Sequence, residues 1–256
     1  MPARLFQMTR PRVRRAPRTV PEDTRVYAIG DIHGRVDLLA NLHRQIADDA
    51  QRHAKPRMVI VYVGDYVDRG LQSRAVLDLL IEDPLEGFES VHLKGNHEAM
   101  MLQFLSDSRA ASAWLEIGGN ATLLSYGVKP KEEQSLLKRL AEAQEQLASS
   151  LPASHRQFLE GLKLYHTEGD YLFVHAGLKP RVALDDQRER DLLWIRDDFL
   201  DSSYDHGKTV VHGHSISWEP EVKDNRINVD TGAFASGVLT CLVLDGEETS
   251  FLQTKR

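Results

Sequence analysis

The chain has 256 residues, 41% of them apolar and 27% charged, with a net charge of −6 at neutral pH; this supports one full hydrophobic core and excludes a disordered polyelectrolyte. A single cysteine, Cys241, excludes a disulfide within the chain and fits a reducing, cytoplasmic setting. No apolar run approaches the roughly 18 residues of a membrane span, so no membrane partner is expected.

The first 20 residues carry Arg4, Arg10, Arg12, Arg14, Arg15 and Arg18 and no acid. They lack the apolar stretch of a secretory signal. Without these six the chain holds 26 basic against 38 acidic residues, a net of −12. We read residues 1–22 as a flexible basic arm, whose sharper role would be contact with nucleic acid or another acidic partner, and residues 23–256 as the folded domain. The acidic body argues against a nucleic-acid face on the domain itself.

Three β-branched apolar runs come first, each ending in glycine-rich punctuation. Val26–Ile29 stops at Gly30-Asp31-Ile32-His33-Gly34, Met58–Val63 at Gly64-Asp65-Tyr66-Val67-Asp68-Arg69-Gly70, and Ser90–Leu93 at Gly95-Asn96-His97-Glu98. Such runs read as buried strands. Between them, Arg35–Arg52 places Leu38, Leu39, Leu42 and Ile46 on one helical face, and Ser73–Ile81 gives a second helix.

Residues 99–162 hold no convincing strand. Helices are expected at Ala99–Leu105, Ser112–Tyr126, Lys131–Ala148 and Pro152–Leu162, with Pro130 and Pro152 as breaks. An insertion of this length reads as a helical lid, the alternative being a packing layer on the sheet. Lys163–His175 reads as a hairpin turning at Glu168-Gly169-Asp170, and its second arm, Tyr171–Val174, runs into His175. A short helical or irregular segment follows at Leu192–Phe199. Lys208–Val211 runs into His212-Gly213-His214, and Arg226–Val229 into Asp230-Thr231-Gly232. Val238–Leu244, which contains Cys241, and Thr249–Gln253 complete the strands.

Ligands in open α/β sheets bind outside the carboxyl ends of the strands. Five strand ends here supply carboxylate, imidazole and amide groups with no thiolate, a donor set suited to Mn, Fe or Zn. They suffice for two ions about 3.5–4 Å apart with one shared ligand.

The three blocks resemble the Gly-Asp-x-His-Gly, Gly-Asp-x-Val-Asp-Arg-Gly and Gly-Asn-His-Glu motifs of calcineurin-type metallophosphoesterases of the phosphoprotein phosphatase group, without a mismatch. The resemblance spans about residues 25 to 245. It implies a four-layer α/β (α+β) sandwich of two mixed β-sheets flanked by helices. It also implies two divalent metal ions, Mn first with Fe or Zn as alternatives. Asp31 and His33 would hold the first ion, Asp65 would bridge both, and Asn96, His175 and His214 would hold the second. His212 is not required.

The implied reaction is hydrolysis of a phosphate monoester by a water that the two ions share and activate, with no covalent intermediate. Arg69 and a second arginine, for which Arg196 is the candidate, would grip the phosphoryl oxygens. His97 would protonate the leaving oxygen and Asp68 would orient His97. Asp230 lines the site without a defined role, and Glu98 is expected to start the following helix.

Asp68, Arg69 and Glu98 lean toward a serine/threonine protein phosphatase acting on a phosphoprotein. The alternative is a symmetrical bis(5'-nucleosyl)-tetraphosphatase, a dinucleoside polyphosphate hydrolase. The stretch Asn228–Gly232 through Leu239–Leu242 resembles those enzymes, although they usually lack an acid at the place of Asp68. An enzyme acting on nucleotide-capped RNA and a binding module without turnover are the remaining readings.

Overall fold

Short β-branched runs broken by glycine and proline keep the described strands to six residues or fewer, with helices between and after them. In the computed structural model, residues 18–130 and 135–255 are described. The first half runs β1 (Thr24–Ile29), α1 (Val36–Arg52), β2 (Arg57–Tyr62), α2 (Ser73–Glu82) and β3 (Glu89–His92). Helices follow: α3 (Asn96–Ser106), α4 (Ala111–Trp114), α5 (Asn120–Ser125), α6 (Leu136–Ser150) and α7 (Ala153–Glu160). The second half holds β4 (Tyr165–Glu168), β5 (Tyr171–Val174), α8 (Glu189–Trp194), α9 (Asp197–Leu200), β6 (Thr209–His212), β7 (Glu221–Val222), β8 (Arg226–Asn228), α10 (Ala233–Ser236), β9 (Thr240–Asp245) and β10 (Glu248–Gln253).

Two five-stranded mixed sheets result, ordered β10-β9-β1-β2-β3 and β4-β5-β6-β8-β7. In the first, β1, β2 and β3 are parallel, with α1 and α2 as crossovers, and β9 runs antiparallel to β1. In the second, β5, β6 and β8 are parallel. Alternation within each strand sorts side chains into layers. Val26, Ala28, Val59 and Val61 of one sheet meet Phe173, Val211 and Ile227 of the other. Tyr27, Ile29, Ile60 and Tyr62 point the opposite way, onto α1, α2 and the inserted helices. Leu172, Val174 and Val210 cover the outer face of the second sheet with Leu192 and Phe199. This is the expected four-layer sandwich of two mixed sheets.

The inserted helices share one core with the first sheet. Met101, Phe104, Trp114, Leu140 and Leu147 lie in the same buried cluster as Ile29 and Ile60. Packing of this kind is what the second of the two readings of residues 99–162, a layer on the sheet, calls for. Where one helix was expected over Ser112–Tyr126, the chain makes two, because Gly118 takes φ 118° between them. Added side chains explain the need for glycine, since a Cβ at Gly118 would press on Arg69 and one at Gly119 on the Trp114 ring.

The expected arm, residues 1–22, falls partly outside the described residues. Its described part, from Arg18 on, is fastened to the domain. Arg18 Nη1 donates to Gly207 O at 2.6 Å and Nη2 reaches Asp205 at 3.0 Å. The Thr19 amide donates to Asp170 Oδ2 at 3.0 Å, and Val20 is buried in the inter-sheet core. Residues 18–20 of the expected arm thus belong with the folded domain, and residues 1–17 lie outside the described residues. Among the described residues, no helix is long and apolar enough to cross a membrane.

Candidate active site

All six strands that run in parallel end at the same rim, and their following residues meet there. Asp31 and His33 follow β1, Asp65 follows β2, Asn96 opens α3 after β3, His175 follows β5, His214 follows β6 and Asp230 follows β8. All seven are buried. Their backbones are tightly constrained. Among the described residues six non-glycine positions have positive φ, and five of them are His33, Asp65, Asp68, Arg69 and His214. Left-handed geometry at ordinary side chains costs about 1–3 kcal/mol each and persists only where its surroundings impose it.

Asp65 sits at the centre. Its carboxylate belongs to two tight groups that could each hold a metal ion, one with His33 and His97, the other with His175 and His214. Oδ2 lies 3.5 Å from His33 Nε2, and Oδ1 lies 3.4 Å from His175 Nε2. Asn96 Oδ1 is 2.9 Å from His175 Nε2. Asp31, from the end of β1, reaches across to the second sheet's end, where its Oδ2 accepts from the His214 amide at 3.0 Å. A Cβ at Gly95 would collide with Asp65 Oδ1, and one at Gly213 with Asp31 Oδ1, so both carboxylates are pressed against glycine backbone.

The donor atoms fit a metal. His33 Nδ1 is 2.9 Å from Val67 O and His175 Nδ1 is 3.0 Å from Val63 O, so each ring can donate there and turn Nε2 inward, bare in His33 and beside Asn96 Oδ1 in His175. Of the buried side-chain atoms without a hydrogen-bond partner among the described residues, three belong to this cluster: Asp31 Oδ1, His33 Nε2 and His214 Nε2. Unpaired buried polar atoms are costly unless something binds them. Burial and neighbouring charge set the protonation. Burial drives the His33 imidazole down to about 3 and lowers His214 as well, which keeps both rings neutral, the form a metal would need. Burial would raise the Asp65 carboxyl, but His175, His97, His33 and His214 together hold it below the usual range. Asp31 is raised by burial, then by Asp230 and Asp65. A divalent cation among these carboxylates would reverse that crowding.

His97 carries a different environment. Its Nδ1 lies 2.7 Å from Asp68 Oδ2, and its Nε2 lies 3.7 Å from Asp65 Oδ2. Asp68 is fully buried and fixed by Trp114 Nε1 at 2.8 Å and Thr122 Oγ1 at 2.6 Å. Burial lowers the His97 pKa, but Asp65 and the hydrogen bond to Asp68 raise it further, for a net upward shift.

Arg69 is half-buried, with its guanidinium 4.7 Å over the Phe234 ring. Arg196 is exposed at the opposite side, its Nη1 3.3 Å from Ser215 Oγ. Arg69 comes from the loop after β2, and Arg196 from the turn between α8 and α9, beside the residue that follows His214. His212 stays out of it: Nε2 meets Arg226 at 3.3 Å, and the ring packs edge-on to Phe199.

Three contributions escape a reading of the sequence. Trp114 and Thr122, which hold Asp68, come from the inserted helices and have no motif. Glu98 does more than begin a helix. Oε2 accepts from the amides of Asp65 and Gly95, both at 2.9 Å, and Oε1 from those of Tyr66 at 2.8 Å and Val67 at 3.2 Å. Burial, then the Asp65 charge, push its carboxyl up to about 7 against those four donors.

Residues 24–235 match the model of the calcineurin-like phosphoesterase family. A curated relative from Oceanobacillus iheyensis, the asymmetrical bis(5'-nucleosyl)-tetraphosphatase PrpE, is 26% identical over 83% of this chain and 85% of its own length. The protein of that name from Bacillus thuringiensis is 24% identical over 86% and 91%. Among solved structures, a candidate diadenosine tetraphosphatase has a TM-score of 0.61 at 22% identity, covering 94% of this chain and 99% of its own. A serine/threonine phosphatase from Saccharomyces cerevisiae has a TM-score of 0.53 at 16% identity, covering 94% and 84%. At such identities the structures speak for the fold alone.

Proposed function

We propose that this chain, which belongs to the calcineurin-like phosphoesterase family and is a metal-dependent phosphoric ester hydrolase, cleaves dinucleoside polyphosphates by direct attack of water, without a covalent enzyme intermediate. The observation that carries the chemistry is the Asp65 carboxylate shared by two tight groups, one with His33 and His97 and one with His175 and His214. The substrate reading is supported by relatives named as tetraphosphatases and matched over most of their own length. Those relatives are named as asymmetrical, whereas the sequence put a serine/threonine protein phosphatase first and offered the symmetrical kind as its alternative.

In this reading Asp31, His33 and Asp65 hold one divalent ion and Asp65, Asn96, His175 and His214 the other, with Mn the first candidate. Bound there, the two ions would activate a water and neutralise charge on the phosphoryl oxygens. The protein's own groups do the rest. Arg69 and Arg196 grip the non-bridging oxygens from two sides. Asp68 holds His97 Nδ1, so the protonated Nε2 is free to give its proton to the leaving oxygen.

Two expected outcomes follow from these roles. Arg69→Ala and Arg196→Ala each lower kcat/KM about 10–100-fold, the worth of a lost charged hydrogen bond, and leave metal content unchanged. Elemental analysis beside kinetics checks both halves; metal loss in either variant would move that arginine from substrate binding to scaffold. His97→Ala lowers kcat on alkyl phosphates by about 10²–10⁴-fold and much less on aryl phosphates, whose leaving group needs no proton. Equal losses on the two would remove His97 from the acid role.

A second reading, a serine/threonine protein phosphatase, is favoured by the fully supported His97–Asp68 pair, because a serine alkoxide leaves poorly without a proton. The deciding experiment gives the metal-loaded protein diadenosine tetraphosphate and a phosphoserine peptide. The primary reading expects a higher kcat/KM on the nucleotide, with ATP and AMP as products. Preference for the peptide would replace it with the phosphatase reading.

A further inference from the structure

A polar cavity of about 440 Å³ opens beside Arg196, outside the ligand groups. Lys179, Arg188, Arg190, Trp194 and Arg196 line it. Two of these tie it to the metal end of the fold. The Trp194 ring lies 6.2 Å from the His214 ring, and Arg196 reaches Ser215, the next residue. Trp194 is 39% exposed, an unusual position for so large an apolar ring.

The other three cations have no assigned task. Lys179, Arg188 and Arg190 are exposed, and among the described residues their side chains make no hydrogen bond or ion pair. They nevertheless stand on a fixed frame. Gln187 staples the loop beneath them, accepting from the Lys179 amide at 2.9 Å and donating to Lys179 O at 2.9 Å and Val182 O at 3.0 Å. Arg190 and Trp194 ride on α8, whose Leu192 and Leu193 are buried. Three carboxylates, Asp191, Asp197 and Asp198, share the lining. The surplus is a single positive charge, so the cavity is no general anion trap, and selectivity rests on where the cations stand.

A lone phosphate needs only the metal centre, Arg69 and Arg196, and leaves these three cations idle. A substrate with further phosphates does not. We propose that this cavity is the subsite for the polyphosphate tail, with Lys179, Arg188 and Arg190 taking the phosphates beyond the reacting one and Trp194 stacking on an aromatic base. This rests on the dinucleoside polyphosphate reading and names the part of the site that would choose such a substrate.

The test compares the wild type with a triple variant, K179A/R188A/R190A, both metal-loaded. Inorganic tripolyphosphate and orthophosphate are used as inhibitors of para-nitrophenyl phosphate turnover, and diadenosine tetraphosphate as substrate. In the variant the tripolyphosphate inhibition constant should rise about tenfold while that of orthophosphate stays within about twofold, and KM for diadenosine tetraphosphate should rise alongside. Trp194→Ala should raise the nucleotide KM and leave tripolyphosphate inhibition unchanged. Equal tripolyphosphate inhibition of wild type and triple variant overturns the subsite. If the wild type does not hydrolyse diadenosine tetraphosphate yet the tripolyphosphate effect is present, the subsite stands and the dinucleoside reading falls.

Discussion

Replacing Asp65 by asparagine is expected to empty both metal positions and to lower kcat/KM on any phosphate ester by on the order of 10³-fold or more, a loss beyond that of a single transition-state donor. No other residue belongs to both ligand groups. A carboxylate between two dications offsets their mutual repulsion; an amide of the same shape cannot. The variant should still fold, because asparagine keeps the oxygen that accepts from the His97 amide at 3.2 Å and tolerates the left-handed φ of 55° better than most residues. Loss of activity with an unchanged melting curve in chelator separates metal loss from unfolding. His33→Ala, by contrast, should lose close to one equivalent of metal. Elemental analysis returning two equivalents in the Asp65→Asn protein would remove Asp65 from the shared position.

The clustering of the candidate ligands was legible because each stands directly after a short β-branched run that must be a buried strand, and because glycine marks where the strand stops. Local spacing alone puts Asp31, Asp65, Asn96, His175 and His214 at strand ends, and parallel pairing then brings those ends to one rim. His212 was set aside because the resemblance does not require it; the two-residue spacing from His214 would allow the same side, but its ring lies against Phe199 and Arg226. What stayed hidden depends on contacts without a local period. Trp114 and Thr122 reach Asp68 across 46 and 54 positions, and nothing in the helical insertion marks them for that task. The break at Gly118 was available in the Gly118-Gly119 pair, yet the apolar spacing on both sides favoured one helix. Strand β7 has two residues, too few to show alternation. At the amino end, charge dominated the reading of residues 1–22 and concealed Val20, whose burial at 2% exposure belongs to the inter-sheet core.

Glu98 is the residue whose importance grew most between sequence and structure, and its replacement should have the largest effect on stability. Its fully buried carboxylate closes four backbone amides of two adjoining loops, those of Asp65, Tyr66, Val67 and Gly95. Alanine would leave these donors without partners in a region water reaches poorly. Each such group costs about 1–3 kcal/mol when fully unsatisfied, and local relaxation recovers part, so a net loss of about 3–5 kcal/mol is expected. For a domain of this size that lowers the melting temperature by roughly 8–15 °C. Glu98→Gln should fall between, because its remaining carbonyl oxygen serves two amides while its NH2 faces the other two as a fellow donor. Metal affinity should follow the same order, weakening about 10–100-fold as the loop that aims Asp65 loosens. Melting curves and metal titrations on the three proteins read both effects together. An alanine variant that melts with the wild type would show that the four amides find other partners and that the clamp is not what holds Asp65 between the two histidine groups.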